Sequence, residues 1–251
     1  MNLLEHLTAA QRSAFLARRH LALPRRAQPV RPFLPAGPGP IRFIAEFKRS
    51  SPSHGAFPAQ PLQAVARRYA AAGAAALSVL VAEEGFSGSI EDLRLARDAT
   101  HLPLLCKGFV SDRGQIAEAY AYGADAVLLI ARVLGPELGA FLQAVQATGM
   151  AALVEVHSAA ELEAALAAGA GLIGVNNRDL ATLACDTGLF LSLAPLAPPG
   201  VRLVAESGYR SLADVRSAEM AGARAVLVGE ALLERGGALL GDLAMACGHV
   251  G

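Results

Sequence analysis

The sequence predicts a closed barrel of eight β/α units, and three observations lead to that prediction. A Gly-Ala pair followed by a short apolar run occurs four times, starting at Gly73, Gly123, Gly169 and Gly222. The pairs are about 50 residues apart, a period typical of stacked supersecondary units, and each period has room for two strand–helix units of roughly 25–30 residues. The length of 251 residues suits one (β/α)8 TIM barrel.

The strands are predicted at short apolar runs, because a parallel strand that is covered on both faces lacks polar alternation. Four of the runs follow a glycine that closes the preceding helix. In chain order, the eight predicted strands are 41–47, 76–81, 104–107, 126–130, 151–156, 172–175, 202–205 and 225–228.

A helix is predicted after each strand from apolar periodicity and from residues that favour helix starts. Pro61 suits a first helical turn, Ser111 or Asp112 provides an N-cap, and Ser158 with Glu161 predicts a capping box. The predicted helices begin at 61 and then span 89–99, 112–122, 136–148, 158–168, 189–193 and 211–221, and the last one ends near 246.

Residues 1–40 are predicted to be an N-terminal extension, and residues 41–251 the catalytic barrel. The extension is predicted to be helical over 1–23 and irregular over 24–40, which is rich in Pro and Gly. It holds six arginines and one acidic residue, Glu5, although the net charge of the chain is +0. Because aromatic stacking platforms do not alternate with these arginines, we expect a solvated helix across one barrel end and no binding of nucleic acid.

The sequence contains no apolar run long enough to span a bilayer and does not begin like a secretory signal. Its three cysteines, Cys106, Cys185 and Cys247, are widely spaced, as expected for reduced thiols in a cytoplasm. Their spacing does not suit a metal site. We therefore expect a cytoplasmic protein, either a monomer or a weak homodimer, without a membrane or metal partner.

Charged residues mark the ends of the odd-numbered predicted strands. They are Glu46, Lys48, Lys107, Glu155 and Glu206, and Asn176 follows the sixth strand. The C-terminal ends of all eight strands meet at one mouth of a barrel, so we expect these side chains to converge there. Because unpaired buried charges are costly, they should pair with one another or bind a ligand.

Small residues follow the last two predicted strands, where barrels commonly bind phosphate through backbone N–H groups. They are Ser207 and Gly208 after the seventh strand and Gly229, followed by Glu230, after the eighth. In a closed barrel the first strand adjoins the eighth, so Lys48 and Ser51 would complete the cradle. The sequence therefore predicts a phosphate ester as the substrate.

Short phrases occur in a fixed order along the predicted barrel. They are IAEFKR (44–49), SVL (78–80), GSIEDL (88–93), GADAVLLI (123–130), LVEVH (153–157), IGVNNRDL (173–180), ESG (206–208) and VG (228–229). Together these phrases resemble the indole-3-glycerol phosphate synthase family of tryptophan biosynthesis, over residues 41 to about 235.

The resemblance implies a decarboxylating lyase that closes the indole ring of 1-(2-carboxyphenylamino)-1-deoxyribulose 5-phosphate and releases carbon dioxide and water. It implies that Lys107 is the general acid that protonates the ribulose carbonyl. Glu155 is then the carboxylate paired with Lys107 and the base of the later dehydration, and Lys48 binds the substrate carboxylate. The resemblance implies no cofactor and no metal.

The resemblance also assigns supporting roles at the same mouth. Residues that position the hydroxyl groups and the anilino nitrogen are Glu46, Asn176 and Glu206. Residues of the phosphate-binding turns are Ser51, Ser207, Gly208, Gly229 and Glu230. Phe86 and Phe109 contact the aromatic ring, and Arg178 forms a structural pair on the loop after the sixth strand.

The chain departs from the family at Gly108, because the family commonly has Lys-Asp-Phe where this sequence has Lys-Gly-Phe. Two alternatives stay open. One is a related barrel that acts on another sugar phosphate, such as a phosphoribosylanthranilate isomerase, which commonly needs an Asp and Cys pair; Cys106 lies beside Lys107 instead. The other is a barrel that binds a phosphate ligand without catalysis. His157 is expected to be a packed core residue.

Overall fold

Eight parallel strands close into a barrel in the computed structural model, which describes residues 2–35, 37, 39–180 and 182–246. The strands are β1 (Arg42–Phe47), β2 (Ala76–Leu80), β3 (Leu104–Lys107), β4 (Ala126–Ile130), β5 (Ala151–Val156), β6 (Leu172–Asn176), β7 (Arg202–Glu206) and β8 (Ala223–Val228). Each strand pairs with its neighbours in the chain, and β8 closes the barrel on β1 with Ala225 opposite Arg42. The predicted fold is confirmed.

One helix precedes the first strand, and helices follow every strand and form the outer layer. They are α1 (Leu3–Arg18), α2 (Leu62–Ala71), α3 (Glu91–Ala99), α4 (Arg113–Ala121), α5 (Ala131–Leu134), α6 (Leu138–Ala147), α7 (Ala159–Ala167), α8 (Gly188–Leu193), α9 (Leu212–Met220), α10 (Glu230–Arg235) and α11 (Gly237–Ala246). The glycines of the four Gly-Ala pairs all have left-handed backbone, with φ between 82° and 100°. They therefore close the preceding helices as predicted.

Three predicted helices differ from the observed ones. The first ends at Arg18 and not at residue 23, because the chain turns where the N–H of Leu21 donates to the carbonyl of Arg18. The helix predicted over 136–148 is preceded by α5, which ends at Gly135 with φ +50°. The last helix is divided into α10 and α11 at Gly236, where φ is +55°.

The predicted capping box at the start of α7 is half formed. Ser158 accepts a hydrogen bond from the N–H of Glu161 at 3.2 Å, as expected. The side chain of Glu161, however, accepts from the N–H of His157 at 2.9 Å and not from that of Ser158. This hydrogen bond draws the Glu161 carboxylate towards the end of β5.

Apolar side chains cover both faces of the barrel sheet. In β1, Phe43, Ala45 and Phe47 pack against the helices, and Ile44 lies in the interior of the barrel. Because side chains alternate along a strand, Glu46 has the same orientation as Ile44 and points inward at the C-terminal end. This alternation places the charged strand ends at the mouth.

The N-terminal extension packs along the barrel from one end to the other. Helix α1 buries Leu4, Leu7 and Phe15. At its end, Arg18 donates to both carboxylate oxygens of Glu118 in α4, at 2.6 and 3.1 Å. The expectation of a solvated helix is thus only partly correct, because carboxylates of the barrel neutralise some arginines of the extension.

The irregular part of the extension lies against the N-terminal ends of the strands. Arg26 donates to the buried Asp125 at 2.7 Å, and Arg97 from α3 binds the other oxygen of the same carboxylate. The backbone N–H of Arg31 also donates to Asp125, at 3.0 Å. These bonds fix the extension to the end of the barrel opposite the mouth.

Within the described ranges, none of the helices is long and apolar enough to cross a membrane. Cys106 is a buried free thiol and Cys185 an exposed one. Cys247 lies outside the residues that the structure describes. Acidic, His and Cys side chains of the described part of the chain form no group of three that would hold a metal ion.

Candidate active site

A cavity opens at the C-terminal mouth of the barrel. It is lined by every predicted site residue except Glu206: Glu46, Lys48, Ser51, Phe86, Lys107, Phe109, Glu155, Asn176, Arg178, Ser207, Gly208, Gly229 and Glu230. Glu206 is completely buried just behind this surface. The convergence predicted from the strand ends is therefore observed.

The chain has only two lysines, and both line this cavity. All other long basic side chains of the chain are arginines. Arginine stays protonated at any ordinary pH, whereas lysine releases a proton when its surroundings favour the neutral form. The restriction of lysine to Lys48 and Lys107 is a sequence signal that the motif analysis missed. It singles out Lys48 and Lys107 as candidates for a function that an arginine would not serve.

Lys107 is held by two carboxylates. Its Nζ donates to Oε2 of Glu46 at 3.0 Å and to Oε2 of Glu206 at 3.2 Å. Burial alone lowers the pKa of Lys107, but the surrounding carboxylates outweigh burial, so this pKa is raised above its usual value. The expected direct pair with Glu155 is wrong for this structure, because Glu155 acts on Lys107 only as a nearby charge.

Glu46 lies between the two lysines. Its Oε1 is 3.2 Å from Nζ of Lys48, and its other oxygen binds Lys107. Burial raises the pKa of Glu46, but the two ammonium groups lower it more strongly, to about 2. Gly229 lies directly beside this carboxylate and has no side chain that would displace it. Glu46 is therefore a fixed negative charge that holds both lysines in the cavity.

The pKa of Glu206 is shifted in the opposite direction from that of Glu46. Burial raises its pKa to about 7, and the negative charge of Glu155 adds to the rise, although Lys107 opposes it. Its Oε1 has no hydrogen-bond partner among the described residues. This oxygen lies against Gly174 in the middle of β6, where a side chain would collide with it. Sequence reasoning missed Gly174, although a glycine inside a buried strand often marks such a close approach.

Glu155 is bound on the far side of the cavity from the Glu46 carboxylate. Its Oε2 accepts a hydrogen bond from Nδ2 of Asn176 at 3.1 Å. Its Oε1 faces Nε2 of His157 at 3.5 Å. Glu155 is 1% exposed and still lines the cavity, so its carboxylate is shielded from bulk solvent and can meet a bound ligand.

The Glu230 carboxylate occupies the centre of the predicted phosphate cradle. Its oxygens accept from Ser51 at 3.4 Å, from Ser53 at 3.1 Å and from Arg178 at 3.1 Å. Nζ of Lys48 is 3.4 Å away. Burial raises the pKa of Glu230, but the two cations lower it overall. The side chain of Glu230 is thus itself an anion in this cradle, so within the predicted phosphate-binding turn only its backbone N–H could donate to a phosphate.

The turn after β7 has an unusual backbone. Ser207 and Gly208 both have left-handed backbone, with φ +62° and +84°. Asn177 fixes the turn, because its Nδ2 donates to the carbonyl of Ser207 at 3.0 Å and to the hydroxyl of Tyr209 at 3.1 Å. Asn177 belongs to a phrase that the sequence analysis quoted, but its positioning role was not recognised there.

The wall opposite the phosphate cradle is apolar. Phe86 and Phe109 lie with ring centroids 6.0 Å apart, and Leu128 and Ile130 complete the lining. Gln11 of α1 reaches this wall, because its Oε1 accepts the N–H of Phe109 at 2.8 Å. The cavity thus combines an apolar side, a cluster of ammonium and carboxylate groups, and a turn suited to an anion. This combination suits proton transfer on an aromatic phosphate ester.

Comparison with known proteins gives one consistent family. The model of the indole-3-glycerol phosphate synthase family matches residues 5–238. An indole-3-glycerol phosphate synthase of Carboxydothermus hydrogenoformans is 48% identical over 198 residues, which are 78% of this chain and 75% of that protein. The enzyme of the same name from a Parafrankia species is 50% identical over 199 residues, which are 78% of this chain and 74% of that protein.

Solved structures agree on the architecture. The N-acetylmannosamine-6-phosphate 2-epimerase of Clostridium perfringens superposes with a TM-score of 0.59 and 17% identity, over 76% of this chain and 86% of that one. At this level of identity the likeness concerns the barrel fold alone.

Proposed function

Since the chain belongs to the indole-3-glycerol phosphate synthase family, we propose that the cavity at its barrel mouth carries out the family's ring-closing reaction. In that reaction, 1-(2-carboxyphenylamino)-1-deoxyribulose 5-phosphate loses carbon dioxide and water and becomes indole-3-glycerol phosphate. The chain is accordingly a decarboxylating lyase of tryptophan biosynthesis. The roles of individual residues in this reaction are our proposal.

Lys107 is the general acid in this proposal. Attack of the aromatic carbon on the ribulose carbonyl places negative charge on the carbonyl oxygen, and a proton must reach that oxygen. The raised pKa of Lys107 keeps its ammonium group protonated at neutral pH. Its two hydrogen bonds, to Glu46 and Glu206, hold Nζ at the cavity surface. The location of this ammonium group inside the cavity is the observation that carries the proposal.

Glu206 returns a proton to Lys107 after the donation. Its pKa of about 7 means that protonated and ionised forms are both accessible near neutral pH. Its Oε2 is 3.2 Å from Nζ of Lys107, within reach of direct proton transfer. A hydroxyl group of the substrate has no path to this buried carboxylate, so Glu206 acts through Lys107.

Glu155 is the base of the dehydration. Its carboxylate lines the cavity without a direct bond to either lysine, so it can accept a proton from the substrate. Asn176 fixes this carboxylate and lies beside the space for the substrate. Lys48, held by Glu46 and Glu230, offers a positive charge to the carboxylate that the substrate loses as carbon dioxide.

The phosphate group binds at the turns after β7 and β8. Backbone N–H groups of Ser207, Gly208 and Gly229 provide neutral donors, and Ser51 provides a hydroxyl group. The Glu230 side chain must keep its negative charge away from the phosphate, so only its backbone contributes. The anthranilate ring then packs against Phe86 and Phe109, which places it near Lys107.

The isomerase alternative has little support in the geometry. Cys106 packs in the layer between barrel and helices and not in the cavity, and burial raises the pKa of its thiol to about 12. A thiol of this kind is a poor acid or base for an isomerase. The end of β1, where the isomerase would need its Cys, carries Glu46 instead, and that carboxylate is bound by two lysines.

The decisive experiment is a turnover assay with the purified chain. The synthase proposal predicts a fluorescent indole product from the carboxyphenylamino-deoxyribulose phosphate, without added metal, and no reaction with phosphoribosylanthranilate. Binding of inorganic phosphate, measured by calorimetry, shows separately that the site is folded. Protein that binds phosphate but forms no indole would favour the alternative of a binding barrel.

The remaining assignments are proposals of the same kind. We treat residues 1–40 as an extension of the barrel at 41–251, because Leu4, Leu7 and Phe33 of the extension are buried against it. A cytoplasmic location, and a monomer or weak homodimer without nucleic-acid partners, remain predictions. Analytical ultracentrifugation at several protein concentrations would test the oligomeric state.

A further inference from the structure

His157 lies directly behind the Glu155 carboxylate, at the end of β5. Its side chain is 3% exposed and is enclosed between two carboxylates from different elements. Nε2 is 3.5 Å from Oε1 of Glu155, and Nδ1 is 3.5 Å from Oε2 of Glu161 in α7. The expectation of an ordinary packed core residue does not account for a ring with an acidic group at each nitrogen.

The two carboxylates determine which form of the ring fits. A neutral imidazole donates at one nitrogen only and would turn the lone pair of the other towards a negative charge. The imidazolium form carries a proton at both nitrogens and is attracted by both neighbours, although neither 3.5 Å approach has the geometry of a hydrogen bond. Burial lowers the pKa of His157, but Glu161 and Glu155 outweigh burial and the repulsion of Arg132, so this pKa is raised above its usual value.

Glu161 is itself fixed, so the ring is held from behind. Its Oε2 accepts the backbone N–H of His157 at 2.9 Å, and its Oε1 accepts from Nε of Arg132 in α5 at 3.0 Å. The charged groups that face His157 are therefore Glu155 on its own strand, Glu161 on α7 and Arg132 on α5. These side chains, together with His157, form an array of charged groups that connects the helical layer to the cavity.

Glu155 shows the effect of this array on the site. Its Oε1 has no hydrogen-bond partner within the described ranges and faces only the imidazole. Its Oε2 is bound by Asn176. Neither contact is with Lys107, although the opposite charge of that ammonium group is close enough to interact with Glu155. The carboxylate is thereby kept from forming a direct ion pair with Lys107.

We infer that His157 is a positioning residue: in its cationic form it holds the Glu155 carboxylate apart from Lys107 and leaves the space between them for the substrate. This inference rests on the proposed function, because it matters for catalysis only if Glu155 and Lys107 act on the substrate. When the ring loses its proton, the attraction is lost, and Glu155 is free to pair with Lys107. Activity should then fall, while phosphate binding at the distant turns should not change.

The first test measures the titration of His157 by NMR and requires no turnover. The chain has six histidines, so a sample with labelled imidazole rings gives few signals, and His157→Gln identifies the one of interest. We expect the midpoint of His157 to lie above 6.5, the ordinary value for histidine. It should move to lower pH in Glu155→Gln and in Glu161→Gln. A midpoint that neither substitution moves would overturn the inference.

The second test is the pH profile of turnover. In the wild type, kcat should fall as pH rises through the midpoint of His157, because the cation is lost. In Glu161→Gln this fall should occur at lower pH. In His157→Gln, kcat should be about tenfold lower at pH 6, as expected for a displaced catalytic group, and should approach the wild-type value at high pH. Binding of inorganic phosphate should be unchanged, because the phosphate contacts are intact.

His101→Gln is the matched control, because His101 is exposed and lies on the loop before β3. It should leave both the profile and the NMR midpoint of His157 unchanged. A wild-type profile that Glu161→Gln does not move would contradict the inference, even if His157→Gln failed to fold. A wild type without any turnover would instead contradict the proposed function, and the titration would still decide the role of His157.

Discussion

The Glu206 carboxylate lies directly against the α-carbon of Gly174 on the neighbouring strand, in the space that a β-carbon would occupy. Leu153 closes the same space from β5. Because the carboxylate is fully buried and bound to Lys107, it cannot move aside without breaking that ion pair. A residue with no side chain on β6 is thus required for the charge arrangement at the mouth of the barrel.

Gly174→Ala should therefore displace Glu206 and disturb Lys107. We expect the free energy of unfolding to fall by about 1–3 kcal/mol, the usual effect of overpacking a core. We expect kcat to fall by more than about tenfold, because a small displacement of a catalytic group is costly. Urea denaturation and the indole fluorescence assay measure the two effects.

Gly139→Ala is the control for this substitution. Gly139 lies in α6, and nothing is within 4 Å of the position of its missing β-carbon. Alanine in this first turn of the helix should stabilise the protein by at most about 1 kcal/mol and leave kcat unchanged. Equal effects of the two substitutions would show that Gly174 is not required for the placement of Glu206.

Lys107→Ala should lower kcat by about 10²–10⁴-fold, the usual contribution of a general acid. Lys107→Arg should be almost as inactive, because a guanidinium group keeps the positive charge but does not release a proton at neutral pH. Both variants should bind inorganic phosphate like the wild type, as measured by calorimetry. Substantial turnover by Lys107→Arg would mean that the residue contributes charge and not a proton.

Glu206 should make the protein less stable as pH rises towards neutrality. Its pKa is raised from 4.5 to about 7, so between these values the folded protein binds a proton that the unfolded chain has lost. The contribution of this group to the free energy of unfolding therefore falls as pH rises from 4.5 to 7. In Glu206→Gln that contribution is absent.

Urea denaturation of both proteins between pH 4 and 8 measures this effect. The stability of Glu206→Gln relative to the wild type should rise with pH across this window and become constant above it. The loss of the bond to Lys107 shifts the free energy of unfolding by the same amount at every pH. Lys107 itself stays charged and does not make the difference depend on pH. Parallel stability curves would show that Glu206 is ionised throughout this range.

Gly108 should be coupled energetically to Gln11 of the N-terminal helix. A β-carbon at Gly108 would lie 2.6 Å from Nε2 of Gln11 and 3.1 Å from a methyl group of Val81. Gly108→Ala should thus push Gln11 away from the N–H of Phe109 and cost about 0.5–1.5 kcal/mol of stability, the usual contribution of one hydrogen bond. With Gln11→Ala already present, the added cost should be smaller by about 0.5 kcal/mol or more.

The control for this double-mutant cycle uses Gln146, an exposed glutamine of α6, instead of Gln11. Gln146→Ala and Gly108→Ala should be additive, because these residues share no contact. Additivity of the Gln11 pair as well would mean that α1 does not touch the Gly108 turn in solution.

The sequence by itself determined the barrel, the order of its strands and the residues that meet at its mouth. Helix ends closed by glycine and buried apolar runs are local features, so their positions can be read without the tertiary structure. Because all parallel strands of a barrel end at one mouth, the chemistry-bearing residues at those ends, such as Lys107 and Glu155, could also be placed together.

The tertiary structure alone decided which of these groups bind each other. Lys107 pairs with Glu46 and Glu206, from strands far away in the chain, whereas Glu155 is held by Asn176 and His157. These choices depend on strand stagger and side-chain conformation, which bring atoms from distant residues within about 3 Å of each other. No sequence spacing encodes such distances, so the charge arrangement, unlike the fold, became known only from the packed barrel.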